Sequence, residues 1–334
     1  MPLEQRLFQL TNEIESGLQD FLTGLEFGHS QELRRMLRYH MGWQDNLGGG
    51  KRLRPVITLL CAGACGGDYR AAMPAALAIE LLHNFTLIHD DIEDQSATRH
   101  GRPTLWTRWG LAQAVNAGDA LFSIAQLALL DLDKTCDAAI ALGAARAMNR
   151  MCLHLTRGQY LDIAFETDDE VALETYLAMV QGKTAALLAY CTAMGGLAAG
   201  ADDTTVNQLG DFGQSLGMAF QIQDDYLGIW GDPTVTGKSA ASDLLARKKS
   251  LPVLFGLQES PGFRAQWGVE NPTLAQIIVM ADLLAECGAA DYVKHQAELY
   301  IQQANADLAH LFPDPNEEAL ALAALTKKLL HREM

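Results

Sequence analysis

Over long stretches of this chain, apolar residues recur at i, i+3, i+4 and i+7, the spacing of one helix face. The pattern predicts helices over Ala72–His89, Leu111–Leu130, Ala138–Gln159, Leu173–Leu197, Thr204–Ile229, Leu274–Cys287 and Ala290–Phe312. Strictly alternating β-branched runs are scarce. Ala and Leu dominate the helical stretches; Ala is the strongest helix former, and its small side chain lets helices approach closely. Turn signals fall between them, at Gly48-Gly49-Gly50, Gly66-Gly67-Asp68, Gly101-Arg102-Pro103, Gly231-Asp232-Pro233 and Ser260-Pro261-Gly262. Most of these helices are apolar on more than one face, as the central helices of a large bundle are. No Pro/Ser-rich linker or fixed-period repeat divides the chain. The expectation is therefore all-α: a single-domain large helical bundle spanning residues 1–334. Gly231–Ser250 is the least helical stretch and reads as a mobile flap.

Composition narrows the class. Of 334 residues, 49% are hydrophobic, ample for a large core, although length alone allows one large domain or two ordinary ones. Asp and Glu number 41 against 25 Lys and Arg, a formal charge of −16. That excess argues against a general nucleic-acid binder and against docking on an anionic membrane surface. No run of about 18 uncharged apolar residues appears, so no membrane span is expected. The N-terminal segment lacks the apolar run of a signal peptide. Cys61, Cys65, Cys136, Cys152, Cys191 and Cys287 lie scattered in apolar surroundings and read as small core residues of a reducing compartment. The chain is expected to be cytoplasmic.

Two acidic clusters stand out. One predicted helix is apolar through Leu82 and then reads His83-Asn84-Phe85-Thr86-Leu87-Ile88-His89-Asp90-Asp91-Ile92-Glu93-Asp94. Asp90 and Asp94 are i, i+4 neighbours, and like charges so placed repel unless a cation joins them. Mg²⁺ takes oxygen ligands, commonly one or two carboxylates plus substrate phosphate oxygens. The second cluster, Phe220-Gln221-Ile222-Gln223-Asp224-Asp225-Tyr226-Leu227-Gly228, also ends an apolar helix. Facing each other across a central cavity, two such helices would bind a diphosphate through Mg²⁺. Asp168-Asp169 and Asp202-Asp203 are paired as well, but they lie in polar stretches without an acid at i+4 and read as surface.

The bases fit the same chemistry. Lys51, Arg52 and Arg54 follow a glycine run just before a helix, a setting suited to phosphate. It is not a P-loop, since the GxxxxGK[ST] spacing is absent. Lys183 sits in a long apolar helix, unusual for a surface lysine. Lys238 and Lys248 lie in the flap, where spacing alone leaves exposed lysines equally open.

With these residues assembled, the chain resembles the trans-isoprenyl diphosphate synthases from about Gly48 to Pro252, and more faintly beyond. The matching blocks are GGGKRLRP, LLHNFTLIHDDIED, RHGRPT, GQYLD, GKTA, FQIQDD and TGKSAASDLLARKKSLP, in order. The resemblance implies Mg²⁺, about two or three ions, with Asp90, Asp91, Asp94, Asp224 and Asp225 as the metal-holding set. It assigns Lys51, Arg54 and His83 to isopentenyl diphosphate, and Arg99, Lys183, Lys238 and Lys248 to the allylic diphosphate. Thr184 and Gln221, with Lys183, would line the reacting carbons. Two departures stand out: Gly228 replaces a third Asp, and His100 stands where many members carry a second arginine. The latter implies weaker or more pH-sensitive hold on isopentenyl diphosphate.

The implied reaction is a head-to-tail condensation of isopentenyl diphosphate with an allylic diphosphate, with water excluded by the flap. Phe85, five residues before Asp90, and Leu82, one turn deeper, would form the wall that stops the growing chain. With Thr86 beside it, that wall implies the twenty-carbon geranylgeranyl diphosphate, with the fifteen-carbon farnesyl product second. Three alternatives stay open: a terpene cyclase on the same bundle, a non-catalytic prenyltransferase subunit, and a metal-buffering protein. The family is usually homodimeric, and Leu111–Leu130 offers an apolar interface.

Overall fold

The structure is a computed structural model; it describes residues 2–44, 50–168, 170–232 and 241–330. In chain order the helices are α1 (Leu3–Gly24), α2 (Gln31–His40), α3 (Leu53–Ala64), α4 (Met73–Glu93), α5 (Leu105–Trp109), α6 (Leu111–Leu130) and α7 (Ala138–Thr167). They continue as α8 (Leu173–Val180), a π-helical turn (Gln181–Ala185), α9 (Ala186–Ala198) and α10 (Asp203–Trp230). Helices follow at Ser242–Leu245, Leu251–Glu259, Pro261–Trp267, Leu274–Glu286, Ala289–Leu311 and Glu317–Leu330. One short antiparallel hairpin pairs Thr98 with Pro103 and Arg99 with Arg102. The all-α expectation and the main helix positions hold. Of the expected flap, residues 233–240, including Lys238, lie outside the described residues.

The sequence reads as one domain; the folded chain divides into two compact units. The first comprises residues 1–147, 191–206 and 314–322, the second 148–190, 207–313 and 323–334. Helices α7, α9, α10 and Glu317–Leu330 contribute residues to both.

In the first unit, α1 buries Leu10, Ile14, Leu18 and Leu22, one face at i+4 spacing, and α3 is buried from Pro55 to Ala64. Helix α4 enters with Pro74 in its first turn and buries Ala75–Leu82 throughout. Alongside it runs α6, where Gly118 admits His89: a Cβ at Gly118 would lie 2.2 Å from the imidazole. By length and hydropathy, Tyr69–Glu93 and Leu111–Lys134 match membrane-spanning helices, although the sequence shows no long uncharged run. The first spends its apolarity on the core, with 61% of its most apolar window buried; the second, at 44%, keeps an apolar outer face.

In the second unit, one buried cluster joins Phe165, Tyr176, Val180, Ile222, Leu254 and Val293. Another gathers Ile229, Leu244, Val253, Phe263, Met280 and Leu284. These clusters pack α8 and α10 with the helices between Ser242 and Leu311.

Candidate active site

Both acidic clusters lie at helix C-termini. Helix α4 carries Asp90 and Asp91 in its last turns and ends on Asp94, with no base in its last turn. Helix α10 likewise carries Asp224 and Asp225 near its end without a base in its last turn. A helix C-terminus is the negative pole of the backbone dipole, so carboxylates there are disfavoured until a cation arrives. Asp90 and Asp94 share one face, and Asp94 N–H donates to the Asp90 carbonyl at 2.8 Å. Among the described residues, no three His, Cys, Asp or Glu side chains converge as a ready-made metal cage. The donor set fits Mg²⁺, which completes its shell with substrate phosphate oxygens and water.

The second acid of each cluster is already engaged. Asp91 is 3% exposed, and Arg99 Nε donates to its two oxygens at 2.9 and 3.1 Å. Burial raises its carboxyl above the usual range despite Arg99. Asp225 is 1% exposed and accepts from the Leu251 N–H at 2.9 Å, from Gln221 Nε2 at 3.0 Å and from the Tyr176 hydroxyl. Burial, followed by Asp225, raises the Tyr176 phenol well above its ordinary value, keeping the hydroxyl a donor. The resemblance assigns Asp91 and Asp225 to the metal-holding set; in the fold their oxygens also hold Arg99 and this network.

Within the first unit, a cavity of about 560 Å³ is lined by Lys51, Arg54, His83, Asp91, Arg99 and His100, among others. The hairpin delivers Arg99 and His100 to it. His100 and Gly101 have φ of +50° and +74°, the positive values a two-residue hairpin turn needs. Arg102 Nη1 ties the second strand to the Tyr39 carbonyl at 3.0 Å. The sequence separates Arg99 from Lys51, Arg54 and His83; the structure puts all four on one cavity.

The three bases after the glycine run divide their work. Arg52 is buried, donating to Glu15 at 2.9 Å, to Glu80 at 2.7 Å and to the Met41 carbonyl at 3.1 Å, so it anchors the start of α3. Lys51 and Arg54 line the cavity. Arg54 Nη1 lies 3.1 Å from His83 Nε2 and, being a donor only, makes that nitrogen an acceptor. Burial, then Arg54 and Arg99, push the His83 imidazole well below its ordinary pKa, so it is neutral. Arg54 Nε is buried without a protein partner. Sequence reasoning missed His40, whose Nε2 is also buried and unpartnered and whose pKa burial and Arg99 lower to about 3. Only its place beside Tyr39, ahead of the glycine run, hinted at it.

The second unit gathers the other set around the π turn, a rare geometry that recurs at functional sites. Helix α7 approaches it so closely that a Cβ at Gly158 would lie 2.2 Å from Lys183 N, and one at Gly182 2.7 Å from the His154 carbonyl. Lys183 Nζ pairs with Asp162, the acid of GQYLD. Thr184 Oγ1 donates to Gln221 Oε1 at 3.0 Å, which links Lys183, Thr184, Gln221 and Asp225 in one chain of neighbours. Burial works to lower the Lys248 pKa, but Asp225, Asp243, Asp162 and Asp224 outweigh it and hold the ammonium charged. Asp162, Tyr176 and Asp243 were not singled out from sequence. GQYLD carried the signal for the first; nothing local marks Tyr176.

On α4, Leu82 is fully buried, and the Phe85 ring packs on His89 and on Phe122 of α6 at centroid distances of 4.8 and 5.2 Å.

Residues 31–270 match the polyprenyl synthetase family. The chain belongs to that family. Its curated relatives include a geranylgeranyl diphosphate synthase of Mycobacterium tuberculosis, 40% identical over 91% of this chain and 87% of that protein. A (2E,6E)-farnesyl diphosphate synthase of Mycobacterium bovis is 38% identical over 90% of this chain and 86% of its own length. Among solved structures, a polyprenyl synthetase from Streptomyces coelicolor superposes with a TM-score of 0.88 at 33% identity, covering 98% of this chain and all of that one. This polyprenyl synthetase is therefore a prenyltransferase, and relatives of near-equal identity carry different product names.

Proposed function

We propose that the enzyme condenses isopentenyl diphosphate head-to-tail with allylic diphosphates, with Mg²⁺, to geranylgeranyl diphosphate. The observation that carries this reading is the basic cavity of the first unit. There Lys51, Arg54 and Arg99 surround a neutral His83, and the buried Arg54 Nε lacks a protein partner. A diphosphate supplies the acceptor that this nitrogen needs. A terpene cyclase has no use for such a second anion site, and a non-catalytic subunit has no use for the Asp90/Asp94 pair.

Asp90, Asp94 and Asp224 would hold Mg²⁺, and Asp91 and Asp225 would position Arg99 and the Gln221–Tyr176 network. When bound, the metal neutralises charge developing on the departing diphosphate. Lys183, Lys248 and Lys238 share that task by direct charge. As the allylic carbon–oxygen bond breaks, the Thr184 oxygen, the Gln221 carbonyl and the Lys183 backbone carbonyl face the positive carbon. Thr184 suits this because its proton is already given to Gln221, leaving lone pairs for the cation. The alkene of isopentenyl diphosphate, held by Lys51, Arg54 and His83, forms the new carbon–carbon bond. A proton then leaves to the diphosphate product. Phe85, backed by Phe122 and Leu82, ends the elongation channel. The farnesyl product is the second reading, favoured by the 38% identical farnesyl relative.

The test is mass spectrometry of products from the purified chain with Mg²⁺, isopentenyl diphosphate and each allylic primer in turn. A linear twenty-carbon diphosphate is expected; hydrocarbons, or no consumption of isopentenyl diphosphate, overturn the reading. We place the enzyme in the cytoplasm as a homodimer, joined through the outer face of α6, where Leu111, Leu127 and Leu130 are 57%, 50% and 48% exposed. On that basis Leu127→Glu with Leu130→Glu yields a monomer by analytical ultracentrifugation.

A further inference from the structure

The three consecutive cations Arg247-Lys248-Lys249 are held in three different ways. Arg247 has φ of +57°, a left-handed conformation that glycine adopts freely and an arginine only at a cost. Its side chain makes contacts that a glycine could not. The guanidinium lies over the Trp267 ring, 4.2 Å from the centroid, and donates to the carbonyls of Trp267 and Val269. Those carbonyls stand where the helix Pro261–Trp267 ends, and the Trp267 ring is itself seated in the core against Phe263. Lys249 is tied elsewhere. Its Nζ donates to the Phe165 carbonyl at 2.6 Å and to the Asp168 carbonyl, at the end of α7. A helix end leaves carbonyls unpaired and favours a cation, so both anchors are of one kind. Two positions on, the Leu251 N–H donates to Asp225 at 2.9 Å. Lys248 stands between these ties. Its N–H donates to the Asp243 carbonyl at 2.9 Å, and the charges of Asp225, Asp243, Asp162 and Asp224 bear on its ammonium.

We propose that Arg247 and Lys249 are positioning residues: they pin the backbone on both sides of Lys248 to two separate helix ends, and so fix where its ammonium meets the diphosphate. Two of the three charges are satisfied by main-chain carbonyls, which orders the segment through the protein's own contacts. The third is left for the anion. Lysine is a point charge on a flexible stem, so a fixed backbone narrows the positions its ammonium must search. The division of labour parallels that after the glycine run, where Arg52 anchors the chain and Lys51 and Arg54 line the cavity. This inference rests on the reading of Lys248 as a residue that grips the allylic diphosphate.

The experiment is steady-state kinetics with Mg²⁺, varying geranyl diphosphate and isopentenyl diphosphate separately, with thermal melting by circular dichroism as the check on folding. Arg247→Gly suits the positive φ and removes the guanidinium; Lys249→Met keeps the apolar stem and removes the donor. Each is expected to raise KM for geranyl diphosphate by about 10-fold while KM for isopentenyl diphosphate stays within about twofold. A role in stability alone would lower the melting temperature without that split. In a Lys248→Met background the same two substitutions are expected to add little, because they act through the missing ammonium. An unchanged KM for geranyl diphosphate in both variants overturns the proposal. So does an equal rise in KM for both substrates, or the full effect repeated on top of Lys248→Met. Lys248→Met alone separates the two levels. If it raises KM for geranyl diphosphate while Arg247→Gly and Lys249→Met do not, only this inference fails; if it too is unchanged, the underlying reading of Lys248 fails.

Discussion

Arg52 and Arg54 are two positions apart and chemically identical, yet one is structural and the other faces the cavity. Arg52 has its charge met by Glu15 and Glu80, whereas the Arg54 Nε has no protein acceptor. Arg54→Lys removes that fork and should raise KM for isopentenyl diphosphate by about 10- to 100-fold, with a smaller effect on the allylic substrate. Steady-state kinetics with each substrate varied separately checks this. His40 governs a different property. Its folded pKa of about 3 lies below the unfolded value of 6.5, so the fold favours the neutral ring. The unfolded chain then binds the extra proton, and stability present above pH 6.5 is lost as pH falls towards 3. At pH 5 the loss from this residue is about 2 kcal/mol, and His40→Gln should reduce that acid sensitivity. Urea unfolding at pH 7.5 and pH 5 gives the comparison; equal losses in both proteins would exclude His40 as the source.

At the scale of elements, the π turn and α7 are fitted backbone to backbone. Gly158→Ala places a methyl group against Lys183 N, and the overpacking should cost about 2 kcal/mol. Because the displaced turn carries Lys183 and Thr184, kcat should fall more than thermal stability alone explains. The readout is kcat beside the melting temperature. Helices α4 and α6 set the other element-level property. Phe85 packs against His89 and Phe122; if it forms the proposed wall, Phe85→Ala should shift products to longer chains. An unchanged product profile by mass spectrometry would remove Phe85 from the wall.

Over the whole molecule, the −16 charge and the anionic substrates are compatible because the charges segregate. The groups assigned to metal and diphosphate, with Asp162 and Asp243, number eight acids (Asp90, Asp91, Glu93, Asp94, Asp162, Asp224, Asp225 and Asp243) and six bases (Lys51, Arg54, Arg99, Lys183, Lys238 and Lys248), a formal charge of −2 before metal binds. Most of the acid excess lies elsewhere, where it serves solubility. Family membership fixes the class of chemistry at this scale; in the proposed reading, product length is set by Phe85 and Leu82 on α4.

Helix positions were legible because the 3.6-residue period is a local signal: α6 and the start of α7 fall where the pattern puts them. So were the two acidic clusters and the basic run, since each lies within a few consecutive residues. Which atoms of those motifs are engaged was not legible. Asp225 meets Tyr176 from 49 positions away, Arg52 meets Glu15 from 37, and the Asp243 carboxylate fills the space beside Gly228. A carboxylate's role depends on who donates to it, and a glycine's on what fills its missing side chain. Both are set by long-range packing, so the sequence determined the helices and the chemical inventory. Tertiary structure decided which carboxylates and cations are already paired.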